Sequence, residues 1–284
     1  MNKVKAEYLS ITQLRPFEGQ PFQVKDDEEM DRLVWSIMTQ GLLTPLVVRP
    51  LGSNEYEVIS GHRRLHACKK AGIETVPALV YPMSRDEAAV ALVDSNLHRE
   101  KLLPSEKAWA YKLKMEALKR QGQRVDLTSS QVGTRSDELL AQQTGESRNQ
   151  VQRYIRLTNL IPGILRMVDE GRIALTPAVE ISYLREQEQA DLLETMESED
   201  CTPSLSQAIQ MKALSQSGQL DMDTIFHIMT QPKANQQEKI SFKVSELRDF
   251  FPRHYTAAQM MQEIKVALKE RQQRLQRQRN RDAR

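Results

Sequence analysis

The stretch Ile59-Ser60-Gly61-His62-Arg63-Arg64-Leu65-His66-Ala67 constrains this chain most. A short strand-like run, Tyr56 to Ile59, meets an apolar-periodic segment ending near Gly72, with a glycine at the joint. Strand, glycine and helix start make a geometry that binds anions. The first N–H groups of a helix lack partners and carry partial positive charge, and Gly61 lets a ligand approach the backbone. Arg63 and Arg64 add forked donors suited to phosphate oxygens. Two arginines at a helix start also suit an ordinary solvated surface, so a second element is needed. Asp94-Ser95-Asn96-Leu97-His98-Arg99-Glu100 supplies it. Asn96 and Arg99 share one helical face, where an amide and a guanidinium could serve the far side of a phosphate or a metal-bound water.

The chain has 284 residues, room for about two domains or three small ones. Hydrophobic residues make up 39% and aromatics only 5%, which favours a helix-rich protein over an all-β sandwich. No apolar run is long enough to span a bilayer, and Met1 to Leu9 is polar and charged rather than a signal peptide. A cytoplasmic protein with no membrane partner is expected. Cys68 and Cys201 lie far apart without metal-ligand spacing, which fits a reducing compartment, with Cys68 in the core of its helix. The net charge of +2 says nothing about nucleic acid, so local clusters must carry that reading.

In order along the chain, Ile11 to Leu14 reads as a short strand and Arg15 to Phe22 as a Pro/Gly-punctuated loop. Asp26 to Gln40 is a helix, with Met30, Leu33, Val34, Ile37 and Met38 at one-face spacing and Gly41 stopping it. Leu46 to Val48 and Tyr56 to Ile59 are strands joined through Gly52-Ser53-Asn54, and Thr75 to Tyr81 is another. Ser84 and Glu87 make a capping box for a helix to about Asn96. After Leu103 the strand signal stops. Pro104 to about Gln121 is a long helix whose stripe of Trp109, Leu113 and Ala117 reads as core, and Gly122 to Gly133 reads as loop. Ile164 to Gly171, Pro177 to Leu184, Glu186 to Met196 and Pro203 to Leu214 continue as helices. Gly218 to Lys239 is linker-like, Ile240 to Val244 alternates like a strand, and a helix from about Thr256 carries Met260, Met261, Ile264 and Leu268. It runs into an Arg/Gln tail with Arg277, Arg279, Arg281 and Arg284, a solvated end, a phosphate contact or an oligomer helix.

Residues 137–160 hold the sharpest second signal. Ser136 or Asp137 caps a short helix, Glu138 to Thr144; Gly145 makes the turn; Ser147 caps a second helix, Arg148 to Leu160. Helix, short glycine turn and helix make the helix-turn-helix pattern, although an ordinary αα-hairpin has the same outline. Leu139, Leu140, Ala141, Val151, Ile155 and Leu157 suit the packing side. Ser147, Arg148, Asn149, Gln150, Gln152, Arg153 and Arg156 suit the DNA side, since Arg, Asn and Gln read guanine and adenine edges. The expected class is α+β: a small mixed α/β domain over 1–103, an all-α domain over 104–216 that contains the helix-turn-helix, and a mostly helical C-terminal region over 217–284.

These motifs resemble one family. Gly61-His62-Arg63-Arg64-Leu65-His66-Ala67 looks like the Gly-Glu-Arg-Arg-x-x-Ala box of ParB-type partition proteins, and Asn96-Leu97-His98-Arg99 resembles their Glu-Asn-x-x-Arg box. Ser36-Ile37, Gly41-Leu42, Pro45-Leu46 and Val48-Arg49 are similar to the family's first block. The resemblance covers roughly Ile11 to Leu214. It implies a dimeric DNA clamp that binds a centromere-like site on double-stranded DNA and is switched by CTP with Mg²⁺. It further implies a ParA-type ATPase partner and a nucleoid- or plasmid-associated location. Carried over, Gly61, His62, Arg63 and Arg64 line the triphosphate site, Asn96 helps hold phosphate or metal, Arg99 shares its face, and Gln20 flanks the nucleotide. Two departures matter. His62 and Ser95 stand where the family has glutamates, the natural Mg²⁺ ligands or water-positioning groups. Asp94 is adjacent but points about 100° away on a helix. At most a weak CTPase is expected.

Two other readings stay open. One is a helix-turn-helix transcription regulator whose N-terminal domain neither binds nor hydrolyses nucleotide. The other is an enzyme of kinase or sulfiredoxin type on the same N-terminal fold. Against the enzyme, no cysteine lies in the Gly61 turn, and the glutamates are replaced.

Overall fold

The computed structural model describes residues 4–97, 99, 102–125, 132–231, 244–252 and 254–282, and gives the backbone alone for 122–125, 132–136, 245–246 and 277–282. The chain divides into two compact units, Met1–Gln231 and Pro232–Arg284.

The first unit opens with β1 (Lys5–Ser10), a 3-10 turn (Ile11–Gln13) and β2 (Leu14–Pro16). Then come α1 (Glu28–Gln40), β3 (Leu46–Gly52), β4 (Glu55–Ser60), α2 (His62–Lys70), β5 (Thr75–Val80) and α3 (Arg85–Leu97). The sheet order is β1-β5-β3-β4-β2. β3 and β4 form an antiparallel hairpin through Gly52, Ser53 and Asn54, all at positive φ. β5 runs parallel to β3, β2 parallel to β4, and β1 antiparallel to β5.

Both faces of this sheet are covered because successive strand residues point to opposite sides. Val58 joins Leu46, Val48, Val76 and Ala78 in a core shared with Met30, Ile37, Leu65 and Cys68 of α1 and α2. Its neighbour Ile59 joins Phe17, Phe22, Ala88 and Leu92 on the other side. Each such apolar side chain contributes about 1.5–3 kcal/mol when fully buried. β4 is thereby fixed on both faces, and its end, where Gly61 follows, is a rigid place from which to present a turn. Within the sheet, Arg49 donates from Nε to the buried Glu57 carboxylate at 2.6 Å, across a β3–β4 pair.

The centre of the unit is α4 (Pro104–Val125). Ala108 packs into the helical core, Ala110 and Ala117 into the core under the sheet, and Tyr111 into a small cluster with Leu140 and Val151. Alanine on several sides lets neighbouring elements approach α4 closely. After it come α5 (Val132–Thr144), α6 (Arg148–Arg156), a 3-10 turn (Leu157–Asn159) and α7 (Pro162–Asp169). α8 (Leu175–Ile181), α9 (Glu186–Ser198), α10 (Leu205–Ser217) and α11 (Met222–Thr230) complete the unit. The second unit holds α12 (Val244–Leu247), a 3-10 turn (Arg248–Phe250) and α13 (Ala257–Asp282).

Several expectations change. The polar segment before Ile11 contains strand β1, and Ile11–Gln13 is a 3-10 turn capped reciprocally by Ser10 and Gln13. The cap wins because the Ser10 hydroxyl and the Gln13 amide satisfy N–H groups that a strand would leave at an edge. Trp109 is 43% exposed and lies under the Lys112 ammonium rather than in the core. Met38 is 68% exposed, so α1 buries a narrower stripe than its spacing allows. The expected loop after Gln121 is shortened from both sides, because α4 continues to Val125 and α5 begins at Val132. Leu139 faces outward and Leu140 inward. The second helix of the motif gives way to a 3-10 turn after Arg156. The linker-like stretch contains α11, capped by Asp221 and anchored by buried Ile225, Ile228 and Met229; tertiary burial outweighs its polar flanks. The expected strand over Ile240–Val244 lies outside the described residues except Val244, which begins a helix. Among the described residues, no helix is long and apolar enough to cross a membrane.

Candidate functional site

Gly61 is the N-cap of α2 at φ 103°, and no side chain caps the first N–H groups of that helix. A methyl group on Gly61 would lie 2.6 Å from Leu46 Cδ2 and 3.0 Å from Arg64 Nη2. Glycine is therefore required by both its backbone angle and its contacts. The turn opens into a cleft of about 200 Å³. All seven residues expected for a nucleotide, Gln20, Gly61, His62, Arg63, Arg64, Asn96 and Arg99, line it, together with Ser60 and Ser95. Sequence reading passed over Ser60; its only signal was its place directly before the glycine.

The cations are held differently. Arg64 donates from Nη1 to the carbonyls of Thr44 and Pro45 at 2.6 and 2.8 Å, so it braces the entry to β3 and reaches the cleft only with its remaining donors. Burial pushes its pKa down from the usual arginine value. Arg63 lies 3.3 Å from the carboxylate of Glu29, in the acidic first turn of α1, and 3.6 Å from Asp27, the N-cap of that helix. α3 ends at Leu97, so Arg99 lies beyond the helix and does not share a helical face with Asn96 as expected; its backbone N–H donates to the Asn96 carbonyl at 3.1 Å. Asn96 Nδ2 donates to the Leu92 carbonyl at 2.9 Å and to Ser95 Oγ at 3.2 Å, which turns its amide oxygen away from those contacts.

His62 is not a cation. Burial lowers its imidazole from the usual 6.5 to about 4, an effect the Val58 backbone only partly offsets. His62 Nε2 and Gln20 Oε1 are buried polar atoms without a partner. A smaller cavity lined by Pro16, Val24 and Leu65 adjoins the cleft and shares Gln20, Val24 and His62 with it. Among the described residues, no Asp or Glu lines the cleft. The arrangement fits a polyanion, since uncapped N–H groups and guanidinium groups converge. For Mg²⁺ its described lining residues offer neutral oxygens, Asn96 among them, so phosphate oxygens would supply most of the charge at the metal.

The second constellation is the turn between α5 and α6. Gly145 sits at φ 68°. Ser147 Oγ accepts from the Gln150 N–H at 3.2 Å and starts α6. Val151 packs against Leu140 and Tyr111, and Tyr154 meets Tyr111 edge-on at 5.8 Å. Lys107 of α4 holds Glu146 of the turn at 2.9 Å. Ser147, Arg148 and Asn149 are exposed, and Gln150 is half-buried. The other three expected DNA residues are tied to the protein. Gln152 donates to Asp137 at 2.5 Å, and Arg153 donates to Thr176 Oγ1 at 2.6 Å. Arg156 donates to Ser182 and stacks on the Tyr183 ring at 3.9 Å. The open part of α6 is its first turn together with Gln152, which is exposed, and within that turn Arg148 lies 3.7 Å from the Asp137 carboxylate. A helix-turn-helix presents that end to base edges.

Two known domain families match this chain. Residues 1–97 match the ParB N-terminal domain and residues 100–204 the ParB HTH domain. A probable chromosome-partitioning protein ParB from Vibrio cholerae is 30% identical over 241 residues, 84% of this chain and 77% of that one. The chain belongs to the ParB family. The probable chromosome-partitioning protein ParB of Pseudomonas putida is 33% identical over 192 residues, 67% of this chain. That alignment spans 61% of the relative's length. Two crystal structures of C-terminally truncated ParB from Caulobacter crescentus also match, one complexed to the centromeric parS site and one with CTP-gamma-S. They cover 74% and 68% of this chain and 99% of theirs, at 23% and 25% identity, with TM-scores of 0.41 and 0.32. Within this ParB-family chain the two matched domains meet at α4, which packs against both.

Proposed function

We propose that this ParB-family chain is a sequence-specific DNA-binding protein for partition of a chromosome, plasmid or mobile element, with a CTP-responsive N-terminal cleft. The observation that carries the reading is the convergence of Arg63, Arg64, Arg99 and Asn96 on the uncapped start of α2, in the same compact unit as the helix-turn-helix. Arg63 and Arg99 neutralise phosphate charge, Arg64 holds the Gly61 turn open, and Asn96 orients an oxygen of the phosphates or of Mg²⁺. The adjoining apolar cavity beside Gln20 and His62 is the place for the less polar end of the ligand. A bound nucleotide would supply negative charge that changes the balance of forces at α2 and at the last turn of α3. Hydrolysis is weak or absent, because a neutral His62 and the hydroxyl of Ser95 are poor substitutes for carboxylates in placing a water. Double-stranded DNA is read by the first turn of α6, Arg148 and Asn149 foremost. A homodimer that closes on DNA and a ParA-type ATPase partner come with the family reading.

Calorimetric titration of CTP against ATP and GTP, with and without DNA, tests this. Selective CTP binding that is lost in Arg63→Ala supports it. A second reading is a helix-turn-helix regulator without a nucleotide, favoured by the lack of a carboxylate among the described lining residues. Operator binding with no response to any nucleotide, and a footprint confined to one site, would establish that reading instead.

A further inference from the structure

Lys114 is fully buried, with a side chain 0% exposed. It lies in the middle of α4, on a helix that otherwise buries mostly Ala, Tyr and Met. Its ammonium donates to Asp94 of α3 and to Gln143 of α5. Asp94 lies two residues before Asn96, in the turn that lines the anion cleft. Gln143 lies two residues before Gly145, at the end of the first helix of the helix-turn-helix. The other ion pairs of α4 reach one side only: Arg120 to Asp86 of α3, and Lys107 to Glu146 of the turn. Among the described residues, Lys114 is the α4 side chain bonded to both α3 and α5.

We infer that Lys114 is a positioning residue that couples the anion cleft to the DNA-reading helices. The reasoning is energetic. An ammonium excluded from water needs both polar partners: losing Asp94 leaves an uncompensated buried charge, and losing Gln143 leaves an unsatisfied donor. The last turn of α3 and the end of α5 are therefore held at a fixed separation through one charged atom. If an anion draws Asn96 towards the start of α2, Asp94 moves with it, both being in the last turn of α3. The ammonium then follows Asp94 or keeps Gln143, and either choice shifts the strength with which α5 is held against α4. A hydrophobic side chain at 114 would fill the same space without transmitting direction. The inference rests on the reading of the cleft as a nucleotide site and of α6 as a DNA reader.

The test is a coupling measurement on the full chain. DNA affinity is measured by fluorescence anisotropy with and without saturating CTP, for wild type, Lys114→Met and Gln143→Leu. CTP affinity of each protein is measured separately by calorimetry. Wild type is expected to show a CTP-dependent change in DNA affinity, about 5-fold or more in the range usual for linked sites. Lys114→Met should keep CTP affinity and CTP-free DNA affinity within about 3-fold while the ratio between CTP-bound and CTP-free affinity falls towards one. Gln143→Leu, which leaves the Asp94–Lys114 pair in place, should give the same loss of coupling and keeps the test usable if Lys114→Met does not fold. Unchanged coupling in the variants overturns the role of Lys114 and leaves the nucleotide reading standing. Wild-type protein that binds DNA and no nucleotide overturns both, and that failure is visible in the calorimetry before any variant is compared.

Discussion

Arg63, which lines the anion cleft, and Glu29 of α1 lie 3.3 Å apart, with Asp27 at 3.6 Å from the same guanidinium nitrogen. An arginine placed for phosphate is held by carboxylates at the start of α1. A bound polyanion must compete with them. Glu29 is 76% exposed, so the pair contributes little, about 0.2–1 kcal/mol. Glu29→Gln should raise affinity for CTP, or for inorganic triphosphate as a probe, by up to about 5-fold. Weaker binding in this variant, read by calorimetry, would show that Glu29 helps the ligand rather than competing with it.

Gly61→Ala should damage both the turn and the cleft. The positive φ strains any side chain there, and the 2.6 Å approach to Leu46 Cδ2 admits a β-carbon only if the buried Leu46 side chain shifts. A loss of about 1–3 kcal/mol in stability is expected, with anion binding lost. Thermal unfolding and a triphosphate titration on the same preparation check the two effects. Wild-type stability and binding would mean that the turn relaxes.

The pH response of His62 has a definite sign. Its folded-state value, about 4, lies below the usual 6.5, so the unfolded chain takes up the proton first as pH falls. The stability associated with His62 is fully present above about 6.5 and declines as pH drops towards 4. Urea unfolding at pH 7 and pH 5 should show a decline in wild type and a smaller one in His62→Gln. Equal declines in both proteins would remove His62 as the cause.

The seven polar residues of the recognition segment should divide into two groups. Arg148→Ala and Asn149→Ala should weaken specific DNA binding by about 1–3 kcal/mol each, with little change in melting temperature. Arg156→Ala should chiefly lower stability, by about 1 kcal/mol, through loss of its Ser182 bonds and its place on Tyr183. Anisotropy and thermal melts on the same variants separate the groups. Arg156→Ala that melts normally and binds DNA poorly would put Arg156 on the DNA side.

Much of this was readable in one dimension. The Gly61 turn, the Ser84–Glu87 box, the Ser147 cap and the Gly145 turn are local features: each is set by the backbone preferences and hydrogen bonds of a few adjacent residues. They place α2, α3 and α6 and mark where an anion and a DNA edge would meet the chain. The Gly61 and Asn96 boxes could be paired from sequence as well, because their residue types shared a chemistry. What no local rule carries is which polar side chain turns to solvent and which to a neighbour. Asn149 and Arg156 share a helix and a residue class, yet one is open and the other is tied to Ser182. Trp109 follows the same spacing as its buried neighbours and is exposed. Lys114 carries a charge on the same helix and has no side-chain exposure at all. The sequence by itself determined the turns, caps and helix starts, since those depend on neighbours along the chain. Only the tertiary structure decided burial and charge pairing, because those depend on which distant elements close over a residue and exclude water from it.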